Sequence, residues 1–345
     1  MVRFKQRRQL AQSLGLWALL MVAGVTPAAT QPSANYYAGK TVKMIIGLGP
    51  GGGYDLWART VARHIGRHLP GNPTVISQNL EGAGSFRAAS YMYGQAPKDG
   101  TVLALIARDA SLGPITGSPG AQFDPTSFSW LGTPTTETNV CIAYKTAAVK
   151  TVQDLLEKEL LVGDNGAGTG TGTYPKALNQ LLGLKFRIIR GYASSADVTL
   201  AMERGEVEGY CESLESVIGK RPEWIASRTV NVLFQGGAQP HPDLKGVPFI
   251  NDLAKNDADR KAIEFLYAGQ GIGRPFLAPP GIAPQLLKMM RSAFDETMKD
   301  PDFVAEVKQR KLTLEPENGG YLEKLINRIY ATPKPIVDRI ASLIK

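Results

Sequence analysis

Two cysteines and three histidines in 345 residues leave little material for thiol or metal chemistry. His64 and His68 have i,i+4 spacing, but Ile65 stands where a helical zinc-protease motif needs its glutamate, and His241 is isolated. With Arg67, the first two read as surface histidines on a basic helix face. No G-x-S-x-G string occurs, so the hydrolase nucleophile elbow is absent. Clustered Lys/Arg runs and basic–aromatic interleaving are also missing, which argues against a nucleic-acid surface. The chain has no repeat at solenoid periods. After Val25 no apolar run is long enough to span a bilayer.

What is present begins with a leader. Arg3, Lys5, Arg7 and Arg8 precede an uncharged, mostly apolar run from Leu14 to Val25, and Thr26-Pro27-Ala28-Ala29 supplies small residues. This pattern predicts a secretory signal peptide over residues 1–29, cleaved near Ala28-Ala29, and hence a periplasmic protein. Arg7-Arg8 is a weak hint of twin-arginine export. Taking the four leader cations from the formal +8 leaves +4, a mild excess that favours small anionic partners. The remaining chain, about 310 residues, is long enough for two modest domains. Cys141 and Cys211 would then meet an oxidising compartment, where one disulfide can form.

Apolar runs alternate with amphipathic stretches. Strands are predicted at 42–46, 74–77 and 102–106, with helices at 56–69 and 85–93 between them. The pattern restarts at 140–144, continues through strands at 160–163, 186–189 and 209–211, and ends at 230–234. Such alternation predicts two α/β units, each a mainly parallel sheet flanked by helices. The tail after residue 257 reads as helices with no new long strand, expected to return to the first unit.

Three glycine-rich stretches follow strands: Gly51-Gly52-Gly53-Tyr54-Asp55, Gly82-Ala83-Gly84-Ser85, and the run from Gly166 to Thr173. Ligands of such sheets bind beyond the strand carboxyl ends, where helix N-termini offer free N–H groups to an anion. Gly47-Leu48-Gly49-Pro50-Gly51-Gly52 spells a dinucleotide fingerprint, but the second strand ends Ser77-Gln78-Asn79 without the required acid. A phosphate P-loop fails because no Gly-Lys-Ser/Thr follows. Asp55 has two readings, a ligand contact or a first-turn carboxylate paired with Arg59. Arg108-Asp109, after the third strand, offers either a ligand cation or a loop ion pair.

Several blocks resemble the substrate-binding receptors of tripartite tricarboxylate transporters (TctC/Bug type). They are Lys43 to Ile46 leading into Pro50-Gly51-Gly52-Gly53-Tyr54-Asp55 and Arg59, Val75 to Asn79 with Gly82-Ala83-Gly84, Ala96-Pro97-Lys98-Asp99-Gly100-Thr101-Val102-Leu103, and Leu277 to Pro284. The resemblance implies a type II-like periplasmic binding protein with two α/β domains, residues 36–137 plus 271–345 and residues 138–270. Their hinges would lie near 134–139 and 269–274. It implies a small organic carboxylate (a di- or tricarboxylate or an aromatic acid) held in the cleft largely by backbone amides. No catalytic residue, metal or cofactor is implied. The expected partners are that carboxylate and membrane permease subunits, with no nucleic acid, and the receptor is expected to be a monomer.

The expected ligand set is Gly51, Gly52, Gly53, Tyr54, Asp55, Gly84, Ser85, Arg108 and Asp109 from one domain. From the other it is Gly168, Thr169, Gly170, Thr171, Tyr192, Ala193 and Ser194. The sequence departs from the family pattern at Arg190 to Ser195, where a Val-Pro-Tyr-type stretch is usual, and in the long, Thr-rich loop from Gly166 to Thr173. The implied topology sets Cys141 beside Cys211, bonded or as two buried thiols. The alternatives are a periplasmic enzyme acting on a carboxylate or ester, and a sensory co-receptor for the same ligand.

Overall fold

The computed structural model describes residues 35–166, 169–237 and 239–344; the expected leader and Gly168 lie outside them. The first strands and helices are β1 (Thr41–Ile46), α1 (Gly53–Ile65), β2 (Thr74–Asn79), α2 (Phe86–Gly94), β3 (Val102–Leu105) and β4 (Ser129–Thr133). The chain then crosses to β5 (Asn139–Tyr144), α3 (Asp154–Glu157), β6 (Leu160–Asp164), α4 (Gly170–Leu182) and β7 (Phe186–Arg190). It continues through α5 (Ser195–Glu203), β8 (Gly209–Ser213), α6 (Leu214–Lys220), β9 (Val230–Gly236) and α7 (Asp257–Tyr267). The return supplies β10 (Phe276–Ala278), α8 (Pro284–Thr297), α9 (Pro301–Gln309), β11 (Glu317–Asn318), α10 (Gly319–Tyr330) and α11 (Lys334–Ile344).

Two sheets result, ordered β11-β4-β10-β3-β1-β2 and β7-β6-β8-β5-β9. They are mixed, where the sequence pattern predicts mainly parallel ones. β1, β2 and β3 run parallel, as do β6, β7 and β8, while β10 opposes both its neighbours and β5 opposes both β8 and β9. The reason is the double crossing. β5 and β10 each begin at the edge between the lobes and run away from it, opposite to strands that end there. The carboxyl ends of β1, β3, β6 and β8 therefore all meet at one edge, the position where open α/β sheets bind ligands.

Local signals explain the helices. In α1 the residues Trp57, Ala58, Val61 and Ile65 are buried on one face at helical spacing. Ser194 and Asp197 form a capping box on α5, and Asn256 and Asp300 cap α7 and α9. Gly183 closes α4 in the left-handed conformation.

The tail differs from expectation in two ways. Its three-residue strand β10 sits between β3 and β4, inside the first sheet. Phe276-Leu277-Ala278 is too short to stand out as a run, yet all three residues are buried. And α11 leaves the first lobe for the second. Lys176 of α4 donates to the Ile344 carbonyl at 2.9 Å, and Arg339 pairs with Asp259 of α7.

The first glycine loop is held by Asp55. Gly51 turns with φ +80°, a conformation side chains resist, and its N–H donates to Asp55 Oδ2 at 3.0 Å. Asp55 Oδ1 accepts from Arg59 Nε at 2.9 Å and from Asn79 Nδ2 at 3.0 Å. Asn79 also donates to the Leu48 carbonyl at 2.7 Å, tying β2 to the loop. Burial pushes the Asp55 carboxyl up, but hydrogen bonds from Arg59, Gly51 and Asn79 outweigh it and hold the group below its ordinary value. The stabilisation is therefore present above the unfolded carboxylate range and is lost as pH falls through the depressed value. Asp55→Ala should cost about 1–3 kcal/mol at neutral pH. Urea melts should show that difference shrinking below about pH 4.

In the second sheet, Cys141 stands opposite Cys211 in the β5–β8 ladder, and their sulfurs are bonded. The bond closes a loop with a sequence separation of 70. Replacing both cysteines by serine should lower unfolding free energy by about 2–4 kcal/mol. Reductant should lower the Tm of the native chain and leave the double variant unchanged.

Candidate binding cleft

The glycine loops of the two lobes face each other at backbone distance. A β-carbon on Gly166 would lie 2.7 Å from the Gly84 nitrogen, and one on Gly49 3.2 Å from the Ala193 carbonyl oxygen. One on Gly52 would meet Ser195 Oγ at 3.3 Å. At Gly53 a β-carbon would overlap Ser216 Oγ, so this glycine is needed for the lobes to approach, apart from any ligand.

A cavity of about 20 Å³ lies between the loops. It is lined by Gly52, Gly53, Tyr54, Arg108 and Asp109 from the first lobe, and by Thr169, Gly170, Thr171 and Ser194 from the second. That volume accommodates about one water. Gly51 and Asp55 line a larger neighbouring cavity of about 430 Å³, which shares Gly52 and Gly53 with the small one.

Gly84, Ser85, Tyr192 and Ala193 line neither cavity. Ser85 is turned into the first lobe, where its Oγ accepts from the Ala107 N–H at 3.0 Å. Tyr192 lies beside Gly163 and packs with the second lobe's apolar cluster.

Several expected ligand donors already have partners. Thr171 donates to Asn165 Oδ1 at 2.6 Å, and Thr169 donates to the same oxygen at 2.7 Å. Asp109 Oδ1 accepts from Tyr174 Oη of α4 at 2.6 Å, so a carboxylate of the first lobe reaches the second lobe's helix. Burial pushes the Asp109 carboxyl up, against the pull of Arg108, Tyr174 and the Gly170 backbone. Tyr54, raised to about 12 by burial, stays neutral and accepts from the Arg108 N–H at 3.1 Å.

Behind this wall lies a buried charge group. Glu137 sits between Arg108 and Arg274, with no side-chain exposure. Arg274 stacks 4.1 Å over the Tyr54 ring and donates through Nη2 to Ser213 Oγ at 2.6 Å and Ser216 Oγ at 2.5 Å. Asn139, 1% exposed, lines the small cavity with neither amide atom hydrogen-bonded. Glu212 lines it as well, 3.7 Å from Lys220 Nζ.

Sequence reading missed Glu137, Asn139, Glu212 and Lys220. Each is a single polar residue without a glycine signal. The available cue for the first two was their place in the predicted crossover at 134–139. The arrangement offers an anion Arg108, the Asn139 amide and backbone N–H groups. Among the described residues no group of three or more His, Cys, Asp or Glu could hold a metal ion.

No family model matches the chain. It is 23% identical over 312 residues to the UPF0065 protein in the gbd 5' region of Cupriavidus necator, covering 86% of each. The solved periplasmic binding protein BugD matches with TM-score 0.69 at 19% identity, over 88% of this chain and 96% of that one. MatC from Rhodopseudomonas palustris, solved with bound malate, matches with TM-score 0.68 at 16% identity, over 88% of this chain and 99% of that one. The two mixed sheets, flanked by helices and facing each other across glycine loops, are therefore the two-domain fold of the Bug-type periplasmic solute-binding proteins, the receptors that the glycine-loop blocks resemble.

Proposed function

We propose that this chain is a periplasmic receptor that captures a small organic carboxylate between its lobes and delivers it, as a monomer, to the permease subunits of a tripartite tricarboxylate-type transporter. The observation that carries the reading is Asn139. A buried amide with both ends unpartnered is costly unless something fills the site. It lies on the same cavity as Arg108, Gly53 and Gly170. A carboxylate accepting from Asn139 Nδ2 and Arg108 would give both donors an acceptor, a hydroxyl of the ligand could donate to Asn139 Oδ1, and the acid would sit at the start of α1, where Gly52 caps the helix without a side-chain bond.

A cavity of about 20 Å³ does not admit an organic acid, so the lobes must part and close again around it. We place the hinges at the two crossovers, where the Glu137 N–H donates to the Gln270 carbonyl at 3.1 Å. We take the domain boundaries at 137/138 and 270/271, as the resemblance implies, to coincide with these hinges. The similar structures include a periplasmic binding protein, BugD, and MatC with bound malate, which supports capture over turnover.

The test is titration calorimetry with a panel of di-, tri- and aromatic carboxylates that includes malate, guided by native mass spectrometry for a co-purified acid. Asn139→Ala should weaken binding by about 1.5–3 kcal/mol, the range for hydrogen bonds to charged groups. Its unliganded Tm should hold or rise, because the amide makes no bond in the free protein. Unchanged affinity for every acid that the native chain binds would remove Asn139 from the site and the reading with it.

A further inference from the structure

Helix α6 carries a contact face of the second lobe against the first. Its small residues Ser216 and Gly219 let α1 and the segment after α9 come close. A β-carbon on Gly53 would overlap Ser216 Oγ, and one on Gly219 would lie 3.7 Å from Leu56 and 3.6 Å from Leu312. Glu215 shares the face of Gly219 at i,i+4 spacing and is carried into the same boundary. It is buried there. It lines both the cavity of about 430 Å³ and a second one of about 400 Å³ at the hinge, whose wall includes Glu137, Gln270 and Thr313.

A carboxylate in this position opposes closure of the lobes. It leaves water for a boundary where one of its oxygens, Oε2, has no hydrogen-bond partner. Among the described residues, every Lys and Arg lining the two cavities faces another acid. Arg59 faces Asp55, Arg63 and Arg310 face Glu306, and Arg221 faces Glu203. Lys220 faces Glu212, and Arg274 faces Glu137. The other titratable side chains of the hinge-side wall are Glu315, His241 and Tyr321. Burial pushes the Glu215 carboxyl up to about 7, Glu137 adds to the push, and Thr313 and Arg274 pull the other way.

We propose that Glu215 is a proton-sensitive latch between the lobes, so that acid favours the closed form and alkali the open one. The inference rests on the parting of the lobes proposed above. In the open form water reaches the carboxyl, which returns toward its ordinary 4.5. Below that value the group is protonated in both forms, and closing buries no charge. Between 4.5 and about 7 closing takes up a proton, so the closed form loses ground as pH rises. Above about 7 closing buries the charge itself, and the dependence levels off.

The experiment is small-angle X-ray scattering of the full mature chain, without ligand, at pH values from 5 to 8. Beside it run Glu215→Gln, which keeps the shape of the protonated acid, and Glu215→Ala. The ratio of open to closed native chains should rise tenfold or more over that range, and neither variant should show the rise. Lys220, pulled down to about 8 by burial, is present in all three chains and cancels in the comparison. A native ratio that stays constant overturns the latch, and so do variants that follow the native chain. Because the readout needs no ligand, either result leaves the calorimetric test of carboxylate capture to stand or fall by itself.

Discussion

The carboxylate of Glu137 is removed from water and held between two guanidinium groups, and the rest of the molecule is arranged around that fact. Arg108 comes from the end of the third strand, Arg274 from the return crossover, and Glu137 from the outward one. A buried charge group of this kind gains little net stability over an apolar substitute, but losing one member leaves uncompensated charge. Its value here is positional. Arg274 also reaches Ser213 and Ser216 on the second lobe, so one ionic group registers both lobes and both crossovers.

A site made of helix N-termini alone is an incomplete account of this cleft. The start of α1 is open, while Asp109 of the first lobe accepts from Tyr174 of α4 across the lobe boundary. The Thr-rich loop that marks the second lobe in sequence spends its hydroxyls on Asn165 and Asp164. The two lobes therefore contribute unequally. The first brings backbone amides and a cation, and the second brings the unpartnered Asn139 amide beside a loop whose hydroxyls are already engaged.

Much of this was legible beforehand because the signals are local. Strands ending in glycines gave the α/β alternation, and the blocks around Pro50 to Asp55 and Pro279 to Pro284 carried the resemblance to carboxylate receptors. What stayed hidden was non-local. Phe276 to Ala278 is an unremarkable tripeptide until it is inserted between β3 and β4. Helix α6 follows its strand without a gap and has no glycine start, so Ser216 and Lys220 went unnoticed as cavity residues. Ser85 looked like a loop donor because sequence gives its position but not the direction of its hydroxyl, which points into its own lobe.

Helix α11 carries a mechanical consequence. Besides the two crossovers that frame Glu137, the chain passes between the lobes a third time, from the first to the second, between Tyr330 and Lys334. It is fastened there by Arg339 to Asp259 and by Lys176 to the Ile344 carbonyl. Two adjacent strands of linker permit both bending and twisting, whereas a third tether set apart from them resists the twist. For lobes that part as proposed, this would leave a rotation like that of a lid on a fixed pin, so the faces that part would be the same faces that meet again.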